Sequence, residues 1–157
     1  MNEPVKLLFD ECVGAPVAEH FGLFLKGIYP EPHEVRHCLD FQKQGIPDEQ
    51  WIPEMARNRF MVITADRGKR TNGKKLPLLC VKFAMTHIMF GPSVHDLKSS
   101  AKVLALGAVW EKIIAAYHGE RGSRFLMTMR GGTHPVINRV AISDAEQKRA
   151  ARYLQDP

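Results

Sequence analysis

Two short apolar runs that each end in an aspartate are the feature that most constrains how this chain can fold. Residues 5–9 lead into Asp10, and residues 60–65 lead into Asp66. Between them, Asp48 opens a stretch whose apolar residues recur at helical spacing. Strands that alternate with helices form parallel sheets, and ligand sites in such sheets lie at the carboxyl ends of the strands. The pattern therefore predicts three carboxylates at one edge of a parallel sheet.

Carboxylates that lie close together repel one another, so a group of them requires a cation or a raised pKa. Oxygen ligands of this kind suit Mg²⁺ or Mn²⁺. We therefore predict that Asp10, Asp48 and Asp66 are catalytic residues and metal ligands, with Glu11 and Glu49 as further candidate ligands. Singly, each aspartate also has a local explanation, since Asp48 could serve as the N-cap of its helix.

A basic segment follows the third aspartate directly. Its cations are Arg67, Lys69, Arg70, Lys74 and Lys75, in a chain whose formal net charge is +5. Cations beside metal-binding carboxylates are suited to holding phosphates next to the metal ions. We therefore expect these five residues to bind a nucleic-acid backbone, with RNA as the predicted partner.

The remaining pattern predicts one α/β domain over residues 1–157. Expected strands lie at 5–9, 35–41, 60–65, 86–90, 125–129 and 136–142, the last two forming a hairpin. Three expected helices begin near Val17, Asp48 and Leu76. A longer helix is expected from 97 to 117, and a last helix follows Ser143, which is its predicted N-cap. Trp110 and Tyr117 lie on one stripe of the helix at 97–117, which fits either the core or a surface for a homodimer or partner protein.

Composition narrows the class of protein. A chain of 157 residues with 45% hydrophobic and 25% charged residues fits a single globular domain. Its apolar runs fall short of the ~20 residues that a membrane helix needs, and residues 1–4 lack the start of a secretory signal. The three cysteines, Cys12, Cys38 and Cys80, show no pairing motif, so we expect small buried thiols and a cytoplasmic location.

Three segments resemble PIN-like nuclease domains. Leu7-Leu8-Phe9-Asp10-Glu11 resembles their first strand, and Pro47-Asp48-Glu49-Gln50-Trp51-Ile52-Pro53 resembles their acidic helix opening. Val62-Ile63-Thr64-Ala65-Asp66-Arg67 is similar to the strand that carries their next aspartate. The order of these three segments and their separation along the chain also match the family, over residues 5 to 95. The resemblance implies a three-layer, Rossmann-like α/β/α sandwich with a mostly parallel sheet, here extended by a C-terminal hairpin and helix.

The same resemblance implies a metal-dependent endoribonuclease with Mg²⁺ or Mn²⁺ as cofactor. It also implies kinship with VapC-type toxins, and hence an antitoxin protein as a possible partner. The chain departs from the family at one point, because Arg67 and Gly68 stand where a fourth acid is usual, and Asp96 is the nearest later candidate.

That departure keeps two other functions open. One is a PIN-like nucleic-acid-binding module without catalytic activity, which would bind RNA in a salt-sensitive manner and not cleave it. The other is a protein-interaction module that uses the same sheet edge to bind a partner.

Overall fold

The computed structural model of the protein describes residues 3–41, 45–65 and 75–153. The strands are β1 (Val5–Phe9), β2 (His33–His37), β3 (Met61–Thr64), β4 (His87–Phe90), β5 (Arg124–Arg130) and β6 (His134–Val140). The helices are α1 (Ala15–Ile28), α2 (Asp48–Arg57), α3 (Lys75–Lys82), α4 (Pro92–His95), α5 (Ser99–Ala108), α6 (Trp110–His118) and α7 (Asp144–Arg152). None of these helices is both long and apolar enough to cross a membrane.

All six strands form one sheet in the order β2-β1-β3-β4-β5-β6. Strands β1 to β5 are parallel, and β6 pairs with β5 in the antiparallel direction. The strand order reverses between β1 and β3, because β2 lies on one side of β1 while every later strand lies on the other. In open α/β sheets this reversal opens a crevice at the carboxyl ends of the two central strands.

Helices cover both faces of the sheet. Alternate residues of β1 point to opposite faces, so Leu7 and Phe9 pack with α1, α5 and α6, whereas Leu8 packs with α2 and α3. Helix α7 packs on α3 in the second helical layer. The predicted three-layer α/β/α sandwich with a C-terminal hairpin and helix is confirmed.

The single helix predicted at 97–117 is wrong. The chain forms α5 and α6 instead, and they are separated at Val109, whose φ of −109° and ψ of 15° leave the helical region. Glycine and valine are weak helix formers, and Gly107 and Val109 lie at this break. The turn brings the ring of Trp110 to 5.8 Å from the ring of Phe21 in the core.

Several predicted boundaries also shift, and β6 spans His134–Val140 where a strand at 136–142 is predicted. Strand β2 ends at His37, because the backbone N–H of His37 donates to Asp40 and the chain turns there. Helix α2 begins at Asp48 with Pro47 at the N-cap position, so the prediction of Asp48 as the N-cap residue is wrong by one position. The cap at Ser143 is confirmed, since its hydroxyl accepts the Glu146 N–H at 3.1 Å.

A buried arginine joins β4, β5 and α7. The Arg124 guanidinium donates to His87 Nε2 at 2.9 Å and to both carboxylate oxygens of Glu146, at 2.8 and 2.7 Å. Burial, with the charge of Arg124 second, lowers the pKa of His87 to about 4, so this imidazole is neutral at pH 7. The network attaches the amino-terminal end of α7 to the sheet.

Candidate metal centre

Asp10 lies at the strand-order reversal, immediately after β1. Its Oδ1 accepts the Glu11 N–H at 2.8 Å, and its Oδ2 accepts the Thr64 hydroxyl at 3.0 Å. Thr64 is the last residue of β3 and is fully buried. The Asp10 carboxylate is therefore held by both central strands, at the edge where the sequence predicts the site.

The thiol of Cys12 contacts the same carboxylate. Its sulfur donates to Asp10 Oδ2 at 3.1 Å and accepts the Ala65 N–H at 3.2 Å. Cys12 is exposed, so the prediction of a buried thiol is wrong at this position, whereas Cys38 and Cys80 are buried as predicted. Desolvation, followed by the negative charge of Asp10, raises the pKa of Cys12 to about 12, so the thiol is protonated at neutral pH.

Glu11 and Cys38 extend this edge of the sheet towards α2. Glu11 Oε1 accepts the Gly45 N–H at 3.1 Å, and Gly45 lies three residues before the first residue of α2. Burial, then the charges of Asp10 and Glu11, raise the pKa of the Cys38 thiol to about 12. Asp10 and Glu11, although neighbours in the sequence, therefore have different hydrogen-bond partners.

The first turn of α2 carries the other two predicted site acids that the structure describes, Asp48 and Glu49. Asp48 Oδ1 accepts the Trp51 indole N–H at 3.1 Å. Glu49 Oε1 accepts the hydroxyl of Tyr153, the residue that follows α7, at 2.6 Å. Burial, then the Glu49 hydrogen bond and charge, then the Asp48 charge, raise the pKa of Tyr153 to about 12. This phenol is therefore protonated and donates at neutral pH.

The remaining predicted site residues lie outside the part of the chain that the structure describes. They are Asp66, Arg67, Lys69, Arg70 and Lys74, together with the side chain of Lys75, whose backbone begins α3. Within the described ranges, no three His, Cys, Asp or Glu side chains are gathered closely enough to hold a metal ion. The three-aspartate centre therefore stays a prediction, as does the basic substrate-binding segment.

The chemistry of Asp10 nevertheless fits a divalent cation. A carboxylate has about four lone-pair positions, and the contacts above use one on Oδ1 and two on Oδ2. Oδ1 therefore retains an acceptor position, and a carboxylate oxygen is the ligand type that Mg²⁺ and Mn²⁺ favour. Its donors fix this carboxylate in advance, which is the arrangement that supports metal ligands in proteins.

An open cleft of about 480 Å³ lies at the opposite edge of the sheet. Its lining includes Arg124, the first residue of β5, and Val140, the last residue of the antiparallel β6. Both positions belong to the amino-terminal edge of the parallel strands, whereas Asp10 lies at the carboxyl edge. The cleft is therefore separate from the candidate metal centre.

Sequence reasoning missed three contacts at the candidate centre. The sequence pattern assigns Thr64 only to a strand and Cys12 only to the thiols expected to be buried, and it assigns Tyr153 no role. Thr64 could have been found by its position next to the end of β3, where polar side chains reach the site edge. No local signal identifies Tyr153, which lies 104 residues from Glu49.

Comparison with known proteins agrees with this geometry. A family model described as a PIN like domain matches residues 5–80, the segment that runs from β1 into α3. No curated protein and no solved structure gave a match. The family match supports a nuclease-type or nucleic-acid-binding module. Residues 5–80, just under half of the chain, are thus similar to PIN-like domains.

Proposed function

We propose that this protein is a metal-dependent endoribonuclease. The observation that carries the proposal is the Asp10 carboxylate at the reversal of strand order, held by Thr64 and the Glu11 N–H inside the PIN-like segment. PIN domains generally depend on divalent metals, and Asp10 retains an acceptor position of the right chemistry. Asp48 and Asp66 would complete the ligand set.

In this proposal each group of residues has a separate task. A bound Mg²⁺ or Mn²⁺ would supply Lewis-acid chemistry for the attack of water on an RNA phosphate. Asp10, Asp48 and Asp66 would bind and orient the ion, with Glu11 and Glu49 as further candidate ligands. The five cations of residues 67–75 would hold the phosphate backbone, which predicts binding that weakens as salt is raised.

The test is a Mn²⁺ titration of purified protein with a labelled single-stranded RNA. Asp10→Asn and Asp66→Asn are expected to abolish metal-dependent cleavage, and addition of EDTA is expected to abolish it in the wild type. Asp144→Asn, on the exposed first turn of α7, is the matched control and is expected to cleave like the wild type. Cleavage at wild-type rates by Asp66→Asn would contradict the proposal.

A nucleic-acid-binding module without catalysis is the second candidate. The observation that favours it is that Arg67 and Gly68 stand where the family resemblance leads us to expect a fourth acid. This candidate predicts salt-sensitive RNA binding with no cleavage at any Mn²⁺ concentration. Replacement of the five cations by glutamine is expected to abolish RNA binding in either case, and unchanged binding would contradict the role assigned to residues 67–75.

The toxin role and the antitoxin partner are proposals that rest on the family resemblance, whereas the homodimer is a proposal from the apolar stripe that carries Trp110 and Tyr117. Expression of the wild type and of Asp10→Asn in the same bacterial host tests the first of them. Growth arrest by the wild type alone is the expected result for a ribonuclease toxin, whereas equal growth of both cultures would contradict that role.

A further inference from the structure

The carboxyl end of α7 contacts the acidic start of α2. The Tyr153 hydroxyl donates to Glu49 Oε1 at 2.6 Å, a short charge-assisted hydrogen bond. The Tyr153 ring is partly buried against the apolar cluster that contains Trp51 and Met55 of α2. Tyr153 is thus held at its ring by this apolar cluster and at its hydroxyl by the carboxylate next to Asp48.

Helix α7 is itself attached firmly to the sheet. The paired hydrogen bonds between Arg124 and Glu146 hold its first turn, and Ser143 caps it. The helix also packs along α3. Because its other end is fixed in this way, the position of Tyr153 at Glu49 is set by contacts that lie far from the acids.

Tyr153 and the helix that positions it lie outside the segment that matches the family model. The match covers residues 5–80, whereas α7 spans Asp144–Arg152 and Tyr153 follows it. The C-terminal helix therefore adds to the candidate metal centre a side chain that residues 5–80 do not supply.

We propose that Tyr153 is a positioning residue of the candidate metal centre, one that orients the Glu49 carboxylate beside Asp48. The inference rests on the proposed function. A hydroxyl that donates to one carboxylate oxygen restricts rotation of that carboxylate. Residues that hydrogen-bond to a metal ligand in this way strengthen metal binding, because they orient the ligand. Tyr153 therefore acts through Glu49 and does not touch the substrate.

The experiment measures Mn²⁺ binding directly, from the electron paramagnetic resonance signal of free Mn²⁺ in the absence of RNA. Tyr153→Phe removes the hydroxyl and keeps the ring, and it is expected to raise the Kd for Mn²⁺ about 10-fold. Tyr117→Phe is the matched control, because the Tyr117 hydroxyl donates at 2.8 Å to the Arg59 carbonyl, just beyond the opposite end of α2. The Kd of this control is expected to equal that of the wild type.

A double variant separates positioning from a general effect on packing. In a Glu49→Ala background the phenol has lost its acceptor, so addition of Tyr153→Phe is expected to leave the Kd unchanged. A further weakening in that background would show that Tyr153 acts through packing alone, and would overturn the proposal. An unchanged or lower Kd in the single Tyr153→Phe variant would overturn it as well.

Asp10→Asn distinguishes this proposal from the proposed function. If Asp10→Asn weakens Mn²⁺ binding and Tyr153→Phe does not, the inference about Tyr153 is wrong and the metal centre stands. If Asp10→Asn binds Mn²⁺ as the wild type does, the metal centre itself is wrong, and the role of Tyr153 falls with it.

Discussion

The hydroxyl of Thr64 donates to the Asp10 carboxylate at 3.0 Å and thereby joins the carboxyl ends of β3 and β1. The backbone repeats this connection, since the Asp10 N–H donates to the Ile63 carbonyl at 3.0 Å. The candidate metal ligand is therefore oriented by the two adjacent strands at which the strand order reverses, where a crevice forms at this edge.

Thr64→Val is expected to weaken Mn²⁺ binding about 10-fold, because Asp10 loses a donor that orients it. We also expect a loss of about 1–3 kcal/mol in the free energy of unfolding, since the lost hydrogen bond is made to a charged group. Thr86→Val is the control, because this buried threonine accepts the Gly122 N–H at the opposite edge. Mn²⁺ titration and urea unfolding measure both quantities. Equal Mn²⁺ affinity in the two variants would contradict the role of Thr64.

Acid is expected to destabilise the fold through His87. Its pKa is about 4 in the folded protein and 6.5 ordinarily, so the unfolded chain binds the proton more tightly. The associated stability is complete above pH 6.5 and is lost as the pH falls through 4. Between pH 7 and 4.5 the loss is about 2–3 kcal/mol.

Urea unfolding midpoints at pH 7, 5.5 and 4.5 measure this loss. His87→Gln is expected to remove most of it in this range, whereas His20→Gln, on an exposed position of α1, is expected to retain it. An identical pH dependence in wild type and His87→Gln would contradict the assignment.

The ion pair between Arg124 and Glu146 is expected to contribute strongly to stability. Their side chains are 9% and 18% exposed, so Glu146→Gln leaves a largely buried guanidinium without its charge partner. A loss of roughly 2–4 kcal/mol in the free energy of unfolding follows. Glu120→Gln breaks the exposed pair with Arg139, where the side chains are 74% and 58% exposed, and should cost under about 0.5 kcal/mol. Similar losses in the two variants by urea unfolding would contradict this contrast.

Gly107→Ala is expected to disrupt the packing of α5 on α1. A Cβ at Gly107 would lie 2.5 Å from a ring carbon of Phe24, which forces the ring or the helix to move. The expected loss is about 1–3 kcal/mol in the free energy of unfolding. Gly27→Ala on α1 meets nothing within 4 Å and is expected to stabilise by up to about 1 kcal/mol. Thermal unfolding of both variants is the measurement, and destabilisation by Gly27→Ala would contradict the packing argument.

Local patterns predicted the elements that carry their own signals. Residues 5–9 are apolar and lie between turn-forming residues, so β1 was predicted with its observed bounds. Ser143 is followed three residues later by Glu146, and α7 begins where that motif indicates. The position of Asp10 at the carboxyl edge followed from the parallel sheet that such elements favour.

Features that depend on distant parts of the chain could not be predicted in this way. The helix at 97–117 shows a continuous apolar stripe, and its break at Val109 reflects the packing of Trp110 against α1. Glu146 has a local explanation as part of a cap, yet its partner Arg124 lies 22 residues away in the sequence. Such pairs form only once the sheet has brought the helices together.

The return of α7 to the start of α2 has a practical consequence for handling the protein. An affinity tag joined after residue 157 would be separated by only four residues from Tyr153, which donates to Glu49 in the first turn of α2. A polyhistidine tag there would compete for the very ions whose binding is to be measured. An amino-terminal tag enters at the start of β1, at the opposite edge, about 17 Å from Asp10 along the strand. Recombinant protein for metal titrations should therefore carry its tag at the amino terminus.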